Sequence, residues 1–166
     1  LALVIAACLS AGAAADDTQA CFGRTYDDAH LAAHPGQQVR DIRVRQSATP
    51  HGQWSQYELR VRFRDDPRSF RVQPGCSEHA GGVQCIVECD GGVMWPVHTP
   101  DGGLRLSTGY LRAETGAHPP GEGGCTDPVT RSMADQSADG SDRQTVFVLS
   151  PRDRHECAWA GAGPAR

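Results

Sequence analysis

The stretch GCSEHAGGVQCIVECDGG, residues 75–92, places Cys76, Cys85 and Cys89 close together, and sulfur at such spacing has three possible uses. Thiol redox chemistry calls for Cys-x-x-Cys at a helix start, where the helix dipole lowers a thiol pKa, and neither the spacing nor a helix signal is present. Metal binding would use the Cys-x-x-x-Cys pair with His79 or His98, in the manner of a copper site on a loop entering a helix. Here Val and Ile stand between the cysteines and favour a strand instead. The third use, a disulfide staple, is the one expected. If residues 83–90 form one strand, Cys85 and Cys89 share a face about 13 Å apart, at roughly 3.3 Å per residue. A disulfide needs Cα atoms within about 7 Å, so these two require other partners. With a preceding strand ending at Glu78 and a turn over residues 79–82, Cys76 falls opposite Cys85, Pro74 opposite Val87 and Val72 opposite Cys89. A cross-strand Cys76–Cys85 bridge follows. Cys21, Cys125 and Cys157 remain open as partners of Cys89; Cys125 is preferred, leaving Cys21 with Cys157 to close the termini.

Other residues that could do chemistry are less tightly patterned. His30 and His34 stand four apart with Asp27 one turn away, the spacing of a two-His metal clamp, although an ordinary solvated helix face is the commoner outcome for such a pair. Asp135, Asp139 and Asp142 surround Gly140 in DQSADGSD, but their spacing fails the calcium-loop pattern. No nucleophile elbow, His-Glu-x-x-His pair or phosphate-cradling loop occurs, so no catalytic residue is assigned, and neither enzymatic activity nor a cofactor is expected. The strongest surface signal is arginine. Half of the chain's sixteen basic residues lie between positions 40 and 71, although the formal net charge is −4.

These residues must be positioned by elements, and the chain is rich in turn punctuation: glycine pairs and prolines separate short apolar runs. YELRVRFR alternates Tyr57, Leu59, Val61 and Phe63 with Glu58, Arg60, Arg62 and Arg64; DIRVR repeats the pattern with Ile42 and Val44 against Arg43 and Arg45. Further strands are expected at residues 69–73, 83–90, 93–97, 104–112 and 144–149. One short N-terminal helix is expected over AHLAAH, with Thr25 and Asp28 as a capping box and His34-Pro35-Gly36 as its stop. Residues 115–143 read as long loops. The expected fold is all-β, a small antiparallel barrel or sandwich of about seven or eight strands, stapled by disulfides.

The amino terminus, LALVIAACLSAGAAADD, reads as the apolar core of a signal peptide ending at residue 15, with residues 16–166 as one domain that buries about 70% of its unfolded surface. An alternative reading makes Ile5-Ala6-Ala7-Cys8 a lipobox and Cys8 a lipidated anchor. Either way Cys21, Cys76, Cys85, Cys89, Cys125 and Cys157 remain, an even set that implies a disulfide framework in an oxidising compartment. No other apolar run approaches the roughly 18 residues of a membrane span. All sixteen basic residues are Arg, and the chain contains neither Lys nor Asn, a bias that GC-rich coding produces; a Gram-negative host, with a periplasmic or secreted location, is the expectation.

Pairing of DIRVR with YELRVRFR would line one wet face with Arg43, Arg45, Arg60, Arg62 and Arg64. Like charges opposite one another cost a sheet roughly 0.2 to 1 kcal/mol per pair. An anionic partner would offset that: a glycan, a lipid head group or an acidic protein, which Arg engages through its planar fork. Interleaved Asp41, Glu58, Asp65 and Asp66 would also neutralise the face locally, and that is the more usual outcome for a surface charge run. An acidic chain gives no reason to expect a nucleic-acid partner. In being exported, disulfide-bridged and mostly β, the chain resembles small periplasmic β-barrel proteins, some of which inhibit host lysozymes; the resemblance implies an inhibitory loop, at residues 98–103 or 116–124. The expectation is therefore a binding protein of the cell envelope, with an enzyme inhibitor and a metal-binding protein as alternatives.

Overall fold

A computed structural model describes residues 19–48, 55–115 and 129–159. The expected signal peptide at residues 1–15, the alternative anchor Cys8, the bridge candidate Cys125 and the loop at 116–124 lie outside the described residues. The described chain is mostly antiparallel sheet. Its strands are β1 (Gln19–Thr25), β2 (Val39–Ala48), β3 (Ser55–Phe63), β4 (Asp66–Val72), β5 (Gly75–His79), β6 (Gly82–Ile86), β7 (Gly92–His98), β8 (Leu104–Glu114), β9 (Thr130–Ser132) and β10 (Thr145–Pro151). The helix α1 (Asp28–Ala33) follows β1, and a short 3-10 turn, Arg154–Cys157, follows β10.

The pairings run β10-β1-β2-β3-β4-β8, and β8 pairs back to β10, so the path closes on itself as a small barrel. The hairpin β5–β6 continues through β7 on β8 and extends the sheet to one side. Closure pairs both sides of the strands within the ring, which limits the exposed edge that makes open sheets prone to aggregation to the β5–β7 extension. The seam is narrow at β4 and β8, where a single register pair, Arg71 with Glu114, joins them, and the two side chains form an ion pair at 3.2 Å.

Period-two alternation builds the core as expected. Ile42, Val44, Leu59, Val61, Phe63, Phe70 and Val72 point inward with almost no exposure, joined by Leu104, Leu106, Phe147 and Leu149. The long strand β8 serves two core regions by changing phase. Val93 opposes Tyr110 but Trp95 opposes Ser107, so one extra residue is accommodated near Thr108, and the buried positions shift from Leu106 and Thr108 to Leu111 and Ala113. Such a bulge moves side chains to the other face. The buried Thr108 hydroxyl is satisfied by donating to the Val93 carbonyl at 2.7 Å.

The cysteine register is confirmed where it matters. Glu78 opposes Val83 and Cys76 opposes Cys85, and those cysteines are bonded; Cys21 is bonded to Cys157. Cys89 is also disulfide-bonded. Three details differ. The hairpin turn is the two residues Ala80 and Gly81, with φ of 48° and 83°, rather than residues 79–82; left-handed values at both positions match the twist of the flanking strands. The strand expected over 83–90 stops at Ile86, because Cys89 and Asp90 both adopt φ of 57° and the Gly91 amide folds back to the Val87 carbonyl at 3.1 Å. Val72 accordingly opposes Leu59 and not Cys89. The cap of α1 is Asp27, whose carboxylate accepts from the His30 amide at 2.7 Å, while the Thr25 hydroxyl donates to Asp41 at 2.6 Å. The loop region 115–143 contains β9 and an isolated bridge between Gln136 and Asp142.

Candidate functional site: the arginine face of β2, β3 and β4

The outward positions of β2, β3 and β4 bring together four of the five arginines expected from the sequence. In one row across the sheet Arg43 opposes Arg60, and Arg60 opposes Arg71. Three guanidiniums in line would repel unless charge of the other sign lay beside them. The neighbouring rows supply it: Arg45 opposes Glu58, and Arg62 opposes Asp41.

Glu58, 7% exposed, pairs with Arg45 and with Arg60, the latter at 3.3 Å. Asp41, also 7% exposed, pairs with Arg43 at 3.0 Å and lies 3.7 Å from Arg62. A third carboxylate comes from the far end of the chain, where Glu156 in the 3-10 turn accepts from Arg43 Nε at 2.7 Å. The Cys21–Cys157 bond fixes that turn against β1. Beyond it, the Trp159 ring lies under the guanidiniums of Arg45 and Arg60, 5.2 and 5.5 Å from ring centroid to Cζ, distances at which a cation is attracted to an aromatic face. Gly23 makes this packing possible, since a Cβ there would fall 2.6 Å from Arg43 Cδ.

The consequence is a lattice in which most of the charge is satisfied internally. Burial pulls Arg60 below the usual arginine range, against the opposing pull of Glu58, and its Nε is buried without a hydrogen-bond partner. What remains open is a shallow depression of about 380 Å³ bounded by Asp41, Arg43, Arg60, Arg62, Ser69 and Glu156. Arg62 alone among the paired arginines of β2 and β3 stays more than half exposed in its side chain, at 54%. The adjoining turn is also locally balanced. Arg131 pairs with Asp65 at 2.6 Å and Arg68 grips Asp66, whose carboxyl is held down to about 2 by Arg68.

Arg64 does not join this face. It turns to the helix, donating to the carbonyls of Leu31, His34, Pro35 and Gln37, and so caps the C-terminal end of α1. His30 and His34 do come together, their rings stacked at 4.1 Å between centroids, but His30 Nε2 is bonded to Gln37 and His34 Nδ1 to the His30 carbonyl. Among the described residues no three of His, Cys, Asp and Glu converge as a metal site. Asp139 accepts from Ser141 within its own turn, and burial raises the Asp135 carboxyl above its usual range. The loop between β7 and β8 is a tight tip, closed by Thr99 N–H to the Gly103 carbonyl and Gly102 N–H to the Thr99 carbonyl, both 3.0 Å, with Asp101 held by the Thr99 hydroxyl.

No local pattern points to Glu156 and Trp159, which act on arginines more than ninety positions earlier. A usable signal existed elsewhere. VMWPV and TVFVL lack the polar alternation of the other strands, and their outward residues Trp95, Val97, Val146 and Val148 are exposed. In comparisons with protein families, curated proteins and solved structures, the chain matches no family model, no curated protein and no solved structure.

Proposed function

We propose that this is an exported binding protein of the cell envelope, periplasmic or secreted, and that it holds an anionic glycan at the mouth of the depression between β2, β3 and β4. The observation that carries the reading is the unequal lining. Three guanidiniums face two carboxylates there, and Arg62 is exposed with its nearest carboxylate at 3.7 Å. A phosphate or carboxylate entering the depression would gain the Arg62 fork and the edge of Arg60 at little desolvation cost. The internal pairing of Arg43 and Arg45 limits how much charge is left for a ligand, so the binding is expected to be weak and salt-sensitive. The disulfides fit export, since such bonds persist in oxidising compartments, and no helix among the described residues is long and apolar enough to cross a membrane.

Immobilised lipopolysaccharide and polygalacturonate test this directly. Retention should fall with added salt and fall several-fold in Arg62→Gln. Absence of salt-sensitive retention, or an Arg62→Gln protein that binds as well as its parent, would remove the reading. A cleft-blocking inhibitor is the second reading, favoured by the self-closed tip at residues 99–103. It requires lysozyme inhibition that Asp101→Ala abolishes, and an uninhibited lysozyme at excess protein would dismiss it.

A further inference from the structure

The outer face on the other side of the barrel has the opposite character. Across β7, β8 and β10 the register forms two rows, Val97-Arg105-Val148 and Trp95-Ser107-Val146, and the row Ile86-Val93-Tyr110 continues it onto β6. Ile86, Trp95, Val97, Tyr110, Val146 and Val148 are between 36% and 56% exposed and are the large apolar side chains left exposed among the described residues. They are contiguous and share one face. Scattered exposed apolar residues are ordinary, whereas a continuous sheet face of them marks a surface that something covers.

We propose that this face docks a protein partner that presents a carboxylate ringed by apolar side chains, with Arg105 as its receiver. Charge complementarity selects that occupant. Strands β6, β7 and β10 contain no Asp or Glu, and β8 has none before Glu114. Arg105 is exposed at the centre of the first row and has no ion pair among the described residues, in contrast to Arg43, Arg45 and Arg60. A cation flanked by Val97 and Val148 in its own row, with Trp95 and Val146 in the next, is the composition in which interface energy concentrates, because surrounding apolar contacts exclude water from the central pair. A second copy of this chain does not fit, since pairing like faces would bring together two Arg105 side chains and no carboxylate from these strands short of Glu114. A membrane surface would be met by several basic side chains, and these rows carry one. Strand addition is also disfavoured. Among the described residues the segment of β7 beyond Met94 is unpaired on the side away from β8, but Pro96 there has no N–H to offer an incoming strand.

The proposal goes beyond glycan binding and uses none of the residues of the depression, so the two can fail separately. A library of random linear peptides displayed on phage, selected on the full disulfide-bonded protein, provides the probe. Enriched peptides should carry Asp or Glu within an apolar segment. Their affinity should fall by at least about tenfold in Arg105→Gln, as expected when one member of a desolvated pair is removed. Val148→Glu should weaken binding similarly while leaving Arg105 in place, since the new carboxylate stands beside Arg105 on the neighbouring strand and occupies it. Arg62→Gln should bind as the parent does. Enriched peptides without an acidic residue, or binding that survives both Arg105→Gln and Val148→Glu, would overturn the proposal. So would reversible self-association, or sedimentation with phosphatidylglycerol vesicles, that Val148→Glu abolishes, because the occupant would then be a second copy or a membrane.

Discussion

The arginine face of β2 to β4 and the apolar face of β7, β8 and β10 treat their side chains in opposite ways. On the first, each of Arg43, Arg45, Arg60 and Arg62 has a carboxylate within 4 Å, from β2, β3 or the C-terminal turn, and an aromatic ring lies against two of them. On the second, Arg105, without an ion pair among the described residues, is flanked by apolar side chains left in water. Density of charge along the sequence is therefore a poor guide to availability of charge on the surface. Eight arginines in one stretch yield mainly Arg62, whereas Arg105, isolated in a poorly charged region, has no ion pair among the described residues. Satisfied charges hold a structure together, and unsatisfied surface is where a partner gains most.

The largest expected effect removes the C-terminal cover of the first face. Replacing both Cys21 and Cys157 with Ala opens a loop of 136 residues and releases Glu156 from Arg43, so chemical denaturation should show a loss of about 3 to 5 kcal/mol. A cost below about 1 kcal/mol, far under the usual disulfide range, would mean that the cover contributes little and that the contrast between the faces is overdrawn. Next comes Glu58→Gln, which strips a buried carboxylate shared by Arg45 and Arg60. Breaking a fully buried pair costs about 3 to 5 kcal/mol; these guanidiniums retain some water, so about 2 to 3 kcal/mol is expected in the same measurement.

Acid sharpens the comparison further. Arg68 holds the Asp66 carboxyl at about 2, below its unfolded value of 3.8. Its contribution to stability is thus complete above the unfolded value and is lost as pH falls through the folded one. Carboxyl chemical shifts followed by NMR should place its midpoint near 2, and a midpoint near 3.8 would show that the ion pair does not persist in solution. The smallest effect belongs to the second face. Val146→Thr, at a site 41% exposed, should change stability by less than about 0.5 kcal/mol, because its side chain already faces water. A larger loss would show that the apolar rows are packed and unavailable.

Much of the architecture was legible because it rests on local pattern. Alternation in DIRVR and YELRVRFR set which side chains face the core, and the spacing of Cys76 and Cys85 about a short turn set their register. What escaped was nonlocal or backbone-driven. Nothing in QACFGRT announces β1, whose Gly23 is required only because Arg43 crosses it. The end of β6 depends on left-handed Cys89 and Asp90, a conformation that side chains rarely adopt and the sequence does not display. At the site, the interleaving of Asp41 and Glu58 with arginine was readable, whereas Arg64 was misplaced because a strand-end position let it reach the carbonyls of α1 instead. Glu156 and Trp159 arrive through a disulfide spanning most of the described chain, and no local pattern encodes that meeting.

The division between held and free arginines is most directly tested by the guanidinium Nε–H signals in NMR. Arg43 Nε donates to Glu156, and Arg60 Nε is buried, so both protons should exchange slowly with water and give separate resonances near neutral pH. Arg105, exposed and without an ion pair among the described residues, should exchange too fast to be seen. Equal exchange at Arg43, Arg60 and Arg105 would contradict the division, for the arginine face would then be as open to solvent as the apolar one.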